Sequence, residues 1–230
     1  MILTAHQPSY LPWLGLFAKI VKSDVFVFAD TVNYSSRGWS NRNKIRTVDG
    51  WMWLTVPVHG QGNGCQPFTE IKIDNTQEWR RKHWKSIEMN YSRAPYFHLY
   101  RDFFEETYSR EWIYLTDLNE HITRFLMEVL GIRVKFVKAS TSLKLEGSKS
   151  SLVLDMCLKM NADVFIFGSS GKNYVNVEDF KSAGIKVVFQ DYKHPTYPQF
   201  HGKFISHLSV IDLLFNCGPK SLDILMSFMV

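Results

Sequence analysis

Several side chains that can do chemistry follow the first apolar run of the chain. Residues 4–13 read T-A-H-Q-P-S-Y-L-P-W and contain His6 and Tyr10. A histidine can bind a phosphate or transfer a proton near neutral pH, so His6 is a candidate catalytic residue. Tyr10 is a candidate substrate contact. The alternative is a structural histidine bonded to the backbone, with Tyr10 packed beneath the loop.

A second candidate stretch is S-R-G-W-S-N-R-N-K-I-R, residues 36–46. Arginine and lysine bind phosphates, and asparagine amides can orient a base or a sugar. The candidate substrate-binding residues here are Trp39, Asn41, Arg42, Asn43 and Lys44. The alternative is a solvated loop that precedes an edge strand.

Two further candidate stretches lie in the second half of the chain. F-G-S-S-G-K-N-Y, residues 167–174, resembles a phosphate-binding turn but lacks the spacing of a Walker A loop, and it offers Lys172 as a substrate contact. Residues 190–204 offer His194 and His201 as candidate bases and Tyr197 as a substrate wall. The alternative is a proline-rich loop packed on the core.

Short apolar runs alternate with amphipathic stretches around these candidates. M-I-L-T-A, a helix after Pro12 and D-V-F-V-F-A-D predict a βαβ unit. W-M-W-L-T-V-P-V and F-T-E-I-K-I-D predict a third and a fourth strand, separated by a glycine-rich turn, and residues 31–47 predict a loop. Residues 74–131 predict helices, and the α/β alternation then resumes. We expect one α/β domain over 1–230, with a mostly parallel sheet flanked by helices.

Composition narrows the classes of function. The 230 residues carry a net charge of +5 and are 45% hydrophobic, which favours a packed core and anionic small-molecule ligands. The basic residues are scattered, with the densest group at Arg37, Arg42, Lys44 and Arg46, so a nucleic-acid partner is not expected.

Other features bear on metals, compartment and motif. Cys65, Cys157 and Cys217 have no disulfide or zinc spacing, so we expect no metal and inert thiols. No apolar run has transmembrane length, which predicts a cytoplasmic protein. The HExxH, GxSxG and GxGxxG motifs do not occur, which lowers support for metalloprotease, α/β-hydrolase and dinucleotide-binding functions.

Several strings together resemble the WbqC-like family. They are H-Q-P-S-Y-L-P-W-L-G-L-F with the sequence through residue 47, W-R-R-K-H-W-K-S-I-E-M-N-Y-S-R-A-P-Y-F, G-S-S-G-K-N-Y-V, D-Y-K-H-P-T-Y-P-Q-F and S-V-I-D-L-L-F-N-C-G. The resemblance implies a place in bacterial surface-polysaccharide (O-antigen) biosynthesis. The first βαβ unit also resembles nucleotidylyltransferase-like folds, although His6 stands alone where those enzymes have a His-x-Gly-His motif.

The two resemblances imply a reaction. The expectation is an N-acyl or aminoacyl transferase, or an ATP-dependent amide ligase, that joins a small acyl or glycine-like donor to a nucleotide-linked amino sugar. ATP is the candidate cofactor. The alternative is a nucleotide-sugar or polysaccharide-intermediate binding protein without chemistry of its own. The acceptor sugar, the acyl donor and the oligomeric state stay open. So do the choice between ATP, acyl-CoA and another activated donor, and which histidine is the base.

Overall fold

The structure is a computed structural model that describes residues 1–36, 38–59 and 66–227. Arg37, Cys65 and most of the predicted glycine-rich turn lie outside the described residues. Within the described ranges, no helix has both the length and the apolar character needed to cross a membrane.

Among the described residues, seven strands form a parallel sheet and a separate hairpin. They are β1 (Ile2–His6), β2 (Val25–Phe28), β3 (Arg42–Thr47), β4 (Gly50–Thr55), β5 (Lys135–Lys138), β6 (Val164–Phe167) and β7 (Lys186–Phe189). Five of them form one sheet in the order β5-β2-β1-β6-β7, and every pair is parallel. The strand order therefore reverses at β1, which lies between β2 and β6. The predicted α/β class with a parallel sheet is confirmed.

Helices cover the sheet and fill the middle of the chain. They are α1 (Leu14–Ile20), α2 (Trp79–Tyr91), α3 (Arg101–Ser109), α4 (Leu115–Val129), α5 (Ala139–Ser142), α6 (Lys149–Lys159), α7 (Val177–Ser182), α8 (Val210–Cys217) and α9 (Ser221–Met226). The helices predicted over residues 74–131 are α2, α3 and α4. Alternate residues of β2 enter two different cores, since Phe26 and Phe28 pack with α1, α4 and α8 while Val25 and Val27 pack with α6 and α7.

The loop predicted over residues 31–47 is wrong in its second part. Arg42–Thr47 is a strand that pairs antiparallel with β4, from Arg42 opposite Thr55 to Thr47 opposite Gly50. Its inward side chains are Asn43 and Ile45, and the amide of Asn43 donates to Leu11 O at 2.6 Å. A hydrogen-bonded polar residue thus occupies an inward position where sequence alternation would call for an apolar one.

The fourth strand predicted at F-T-E-I-K-I-D is also wrong. Phe68–Glu70 forms a 3₁₀ turn, and Lys72 and Ile73 make only isolated bridges. Phe68 and Ile71 are both buried, and their spacing of three residues places them on one side of a helical turn. A strand would have sent these two side chains to opposite faces.

Candidate functional site

A cavity of about 890 Å³ opens at the carboxyl ends of β1 and β6. Its walls include Ala5, His6 and Gln7 from the end of β1 and Phe167–Gly171 from the end of β6. These two strands flank the point where the strand order reverses. In doubly wound parallel sheets this junction is where ligands bind, because the loops on its two sides diverge and leave a crevice.

His6 contributes a neutral imidazole to this cavity. Its Nδ1 lies 2.7 Å from Gln7 O, and because a carbonyl only accepts, Nδ1 carries the proton. Nε2 is then an acceptor with no hydrogen-bond partner among the described residues. Burial, aided by the charge of Lys19, lowers the pKa of His6 to about 4. The imidazole therefore enters any chemistry at pH 7 without a proton on Nε2.

Lys19 is a buried amine in the wall of the same cavity. It lies on α1 with 3% of its surface exposed, and its Nζ donates to Ala5 O at 2.8 Å. Burial lowers the pKa of this amine to about 7. No carboxylate lies within 4.0 Å of it among the described residues, so the charged form has no counter-ion in that part of the chain. A buried unpaired cation at a cavity is suited to an anionic ligand.

The sequence did not reveal Lys19. Leu14, Phe17 and Ala18 indicate one buried stripe along the helix. A lysine outside such a stripe is normally exposed to solvent. In the structure every residue of α1 is buried, because the helix packs between the sheet and α9. Only the length of the apolar run around Lys19 could have signalled a helix that is covered on all sides.

The chain around β6 and β7 completes the cavity. A 3₁₀ turn at Ser169–Asn173 follows β6, and Gly171 there lies so close to Phe167 that an added Cβ would be 2.7 Å from the Cβ of Phe167. After β7, Gln190 ties the wall to α1 by donating to Gly15 O at 2.8 Å. Asp191 and His207 line the cavity as well.

Two of the predicted site residues, His6 and Trp39, line the cavity. Lys172 follows the lining residue Gly171, but its side chain is exposed and its Nζ lies 5.9 Å from the ring centre of Phe189. Ser169 and Ser170 are the polar side chains that the turn presents to the cavity.

Three residues that were predicted to bind substrate are buried, and their side chains make hydrogen bonds within the protein. The hydroxyl of Tyr10 bonds to His83 Nδ1 at 2.8 Å and to the hydroxyl of Tyr108. Asn41 donates to a backbone carbonyl at 2.9 Å, and Asn43 also donates to the backbone. These contacts fix the hairpin and the first loop to the core.

Arg42 and Lys44 lie on the hairpin beside exposed tryptophans. The guanidinium carbon of Arg42 is 4.9 Å from the ring centre of Trp53, and Lys44 Nζ is 4.0 Å from that of Trp51. Trp39, which borders the cavity, packs against Trp53 with 5.2 Å between ring centres. Arg42 and Lys44 are not among the residues that line the cavity, and Trp53 is the ring that connects them to Trp39 at its wall.

The remaining predicted residues lie in the segment after β7. His194 Nδ1 donates to Pro195 O at 2.8 Å, and His201 Nε2 bonds to Asn90 O at 2.7 Å. Tyr197 donates from its hydroxyl to Asp212 at 2.9 Å. Backbone or core partners thus hold all three. The hydrogen bonds of His201 and Tyr197 fasten this segment to α2 and α8, and that of His194 lies within the segment.

Metal ligands do not cluster in the part of the chain that the structure describes. No group of three or more histidine, cysteine, aspartate or glutamate side chains could hold an ion there. Cys157 and Cys217 are buried free thiols, and burial raises the pKa of Cys157 to about 12 and of Cys217 to about 11. Neither thiol is suited to act as a nucleophile at neutral pH.

Comparison with known proteins gives one family and one relative. The model of the WbqC-like protein family matches residues 7–224. "Uncharacterized protein Rv1507c" of Mycobacterium tuberculosis (strain ATCC 25618 / H37Rv) is 34% identical over 221 residues, which cover 95% of this chain and 95% of the relative. No solved structure matched the chain.

Proposed function

The chain belongs to the WbqC-like protein family, and from that premise we propose that it acts in the synthesis of a bacterial surface polysaccharide. In this proposal it transfers an acyl or aminoacyl group to the amine of a nucleotide-linked amino sugar and forms an amide. The donor is a small acid such as glycine in activated form, and ATP is the proposed activating cofactor.

The observation that carries the proposal is that Lys19 and His6 both line the cavity at the point where the strand order reverses. A nucleotide-linked sugar has a diphosphate, and the buried amine of Lys19 lacks any counter-ion within the described residues. Binding of an anion beside it would stabilise the charged form and raise its pKa from about 7. The cavity volume of about 890 Å³ lies within the range of small-molecule sites.

His6 supplies the proton acceptor in this reaction. Only a neutral amine attacks the acyl carbon, so the substrate ammonium must first lose a proton. The free Nε2 of His6 is the proposed acceptor, and an anion bound beside Lys19 would raise the low pKa of the imidazole toward the range useful for catalysis. The new bond joins the amine nitrogen to the acyl carbon of the ATP-activated donor. The bond from that carbon to the phosphate oxygen breaks, so that AMP leaves.

A second candidate function is ligand binding without chemistry. It is favoured because the other two predicted catalytic histidines, His194 and His201, are hydrogen-bonded to backbone carbonyls. A lone imidazole with a low pKa can serve as a hydrogen-bond acceptor for a sugar hydroxyl as readily as it serves as a base. In this alternative the cavity holds a nucleotide sugar or a polysaccharide intermediate for another protein.

Product analysis separates the two functions. The protein is incubated with a nucleotide-linked amino sugar, glycine and ATP, and the mixture is analysed by mass spectrometry for the amide. The matched acceptor control is the same nucleotide sugar with its amine acetylated, which should give no product. Lys19→Met should abolish product, and Lys22→Met, which changes an exposed lysine just after α1, should not. Ligand binding without product favours the alternative. If the protein neither binds the ligand nor forms product, both functions are refuted.

A further inference from the structure

The outward face of the β3–β4 hairpin carries large apolar side chains instead of polar ones. Trp51 and Trp53 are 44% and 37% exposed, and Val48 at the turn is 63% exposed. The inward face, with Ile45 and Leu54, is already packed into the larger core. A two-stranded sheet with one covered face normally presents polar residues to water on the other. This exposed aromatic face is therefore a candidate interaction surface.

Basic side chains lie over these rings. Lys44 Nζ is 4.0 Å from the ring centre of Trp51 and 5.1 Å from that of Trp53, and Arg42 also lies over Trp53. Neither cation is within 4.0 Å of a carboxylate of the described residues. Asp49, at the turn, is the acidic residue of the hairpin. The face thus combines apolar rings with two cations that lack acidic partners.

We propose that this hairpin face docks the protein on a bilayer surface that contains anionic lipids. Tryptophan rings favour the headgroup region of a bilayer, where one part of the ring is apolar and its N–H is wet. Lysine and arginine near an anionic leaflet each add about fivefold to the affinity for it. The protein's net charge of +5 has the sign that this surface requires.

Ring geometry favours a bilayer over single-stranded nucleic acid. A nucleic-acid platform needs ring faces on which successive bases stack. Trp51 and Trp53 meet edge to face at 87°, and Lys44 already lies over both rings. Such rings offer no continuous stacking surface. Insertion among lipid headgroups does not require coplanar rings.

The docking face is continuous with the cavity rim. Trp39 lines the cavity, is 43% exposed and packs against Trp53. A protein docked through the hairpin would hold this side of the cavity mouth near the lipid headgroups. The docking surface itself does not rest on the proposed function, because it is argued from the hairpin alone.

Vesicle binding tests the proposal. The full chain is sedimented with vesicles of phosphatidylcholine alone and of phosphatidylcholine with phosphatidylglycerol, without any substrate. Binding should occur on the anionic vesicles and weaken as salt is added. The double variant Trp51→Ser/Trp53→Ser should lose at least about tenfold in vesicle affinity, as expected when two interfacial rings are removed. Lys44→Glu, which keeps both rings, should lose about fivefold or more.

Two exposed residues far from the hairpin in sequence serve as matched controls. Leu158→Ser and Lys186→Glu change an exposed apolar and an exposed basic residue in the second half of the chain, and they should bind vesicles as the wild type does. Circular dichroism checks that each variant is folded. Equal binding to neutral vesicles, no vesicle binding, or binding kept by Lys44→Glu would overturn the proposal. So would tryptophan-dependent binding of a single-stranded oligonucleotide, or of a second copy, in place of vesicles.

Discussion

Replacing Lys19 with methionine should stabilise the protein at neutral pH. Burial lowers the pKa of the amine from an ordinary 10.5 to about 7. Since each pKa unit corresponds to about 1.4 kcal/mol, the protonated amine costs the folded state about 5 kcal/mol below pH 7. Methionine removes that cost but leaves Ala5 O without its donor, a loss of about 1–3 kcal/mol. The net gain in the free energy of unfolding should be about 2–4 kcal/mol near pH 6.

The pH dependence gives this prediction its sign. Between pH 7 and pH 10.5 the unfolded chain holds a proton on Lys19 that the folded chain has released, so wild-type stability rises with pH across this window. The advantage of Lys19→Met should shrink over the same window. Above it the wild type should be the more stable protein, because its neutral amine still donates to Ala5 O.

Urea unfolding of both proteins at pH 6, 8 and 10 measures this effect. Lys22→Met is the matched control, since Lys22 is exposed, and its free energy of unfolding should follow that of the wild type at each pH. Added inorganic phosphate should stabilise the wild type and not Lys19→Met if Lys19 holds an anion. The reasoning would be refuted by a variant less stable than the wild type at pH 6, or by a difference that does not change with pH.

Three further substitutions test the cavity and its supports. His6→Ala should lower turnover by about 10²-fold or more with little change in melting temperature, and activity recovered in His6→Asn would indicate hydrogen bonding instead of proton transfer. Gly171→Ala should cost about 1–3 kcal/mol in urea unfolding, since the new Cβ would meet Phe167 at 2.7 Å; unchanged stability would contradict that close approach. Asp212→Asn should cost about 1–3 kcal/mol by calorimetry, because a carboxylate that accepts three hydrogen bonds becomes partly a donor, and a neutral result would contradict this network.

The parallel sheet was predictable because its strands are short, continuous apolar runs. V-F-V-F in β2 and V-F-I-F in β6 are buried on both faces, and that pattern is typical of central parallel strands. β3 was not predictable in the same way. Its sequence R-N-K-I-R-T has one apolar residue. Its position depends on hydrogen bonds to distant groups, such as the one that the backbone N–H of Arg46 donates to the hydroxyl of Tyr91 at 2.8 Å.

The sequence predicts the location of the candidate site better than it predicts which residues line it. His6 is the last residue of β1 and the G-S-S-G turn follows β6, and the rule that ligands bind at the carboxyl ends of parallel strands led to both. Tyr10, Asn41 and Asn43 have types that bind ligands, but residue type does not tell whether a side chain faces a cavity or a backbone carbonyl. That distinction depends on packing across long sequence separations.

The position of β1 also determines the order in which this chain can assemble. β1 is an early strand, yet its pairing with β6 begins at Ile2 opposite Val164, and Thr4 Oγ1 donates to Ile166 O across 162 residues. Pairings between such distant segments form slowly, because closing the long loop costs entropy before any contact compensates. Until β6 arrives, one edge of β1 stays open to other chains. A ligand that bridges the ends of β1 and β6 would therefore also stabilise this long-range strand pairing.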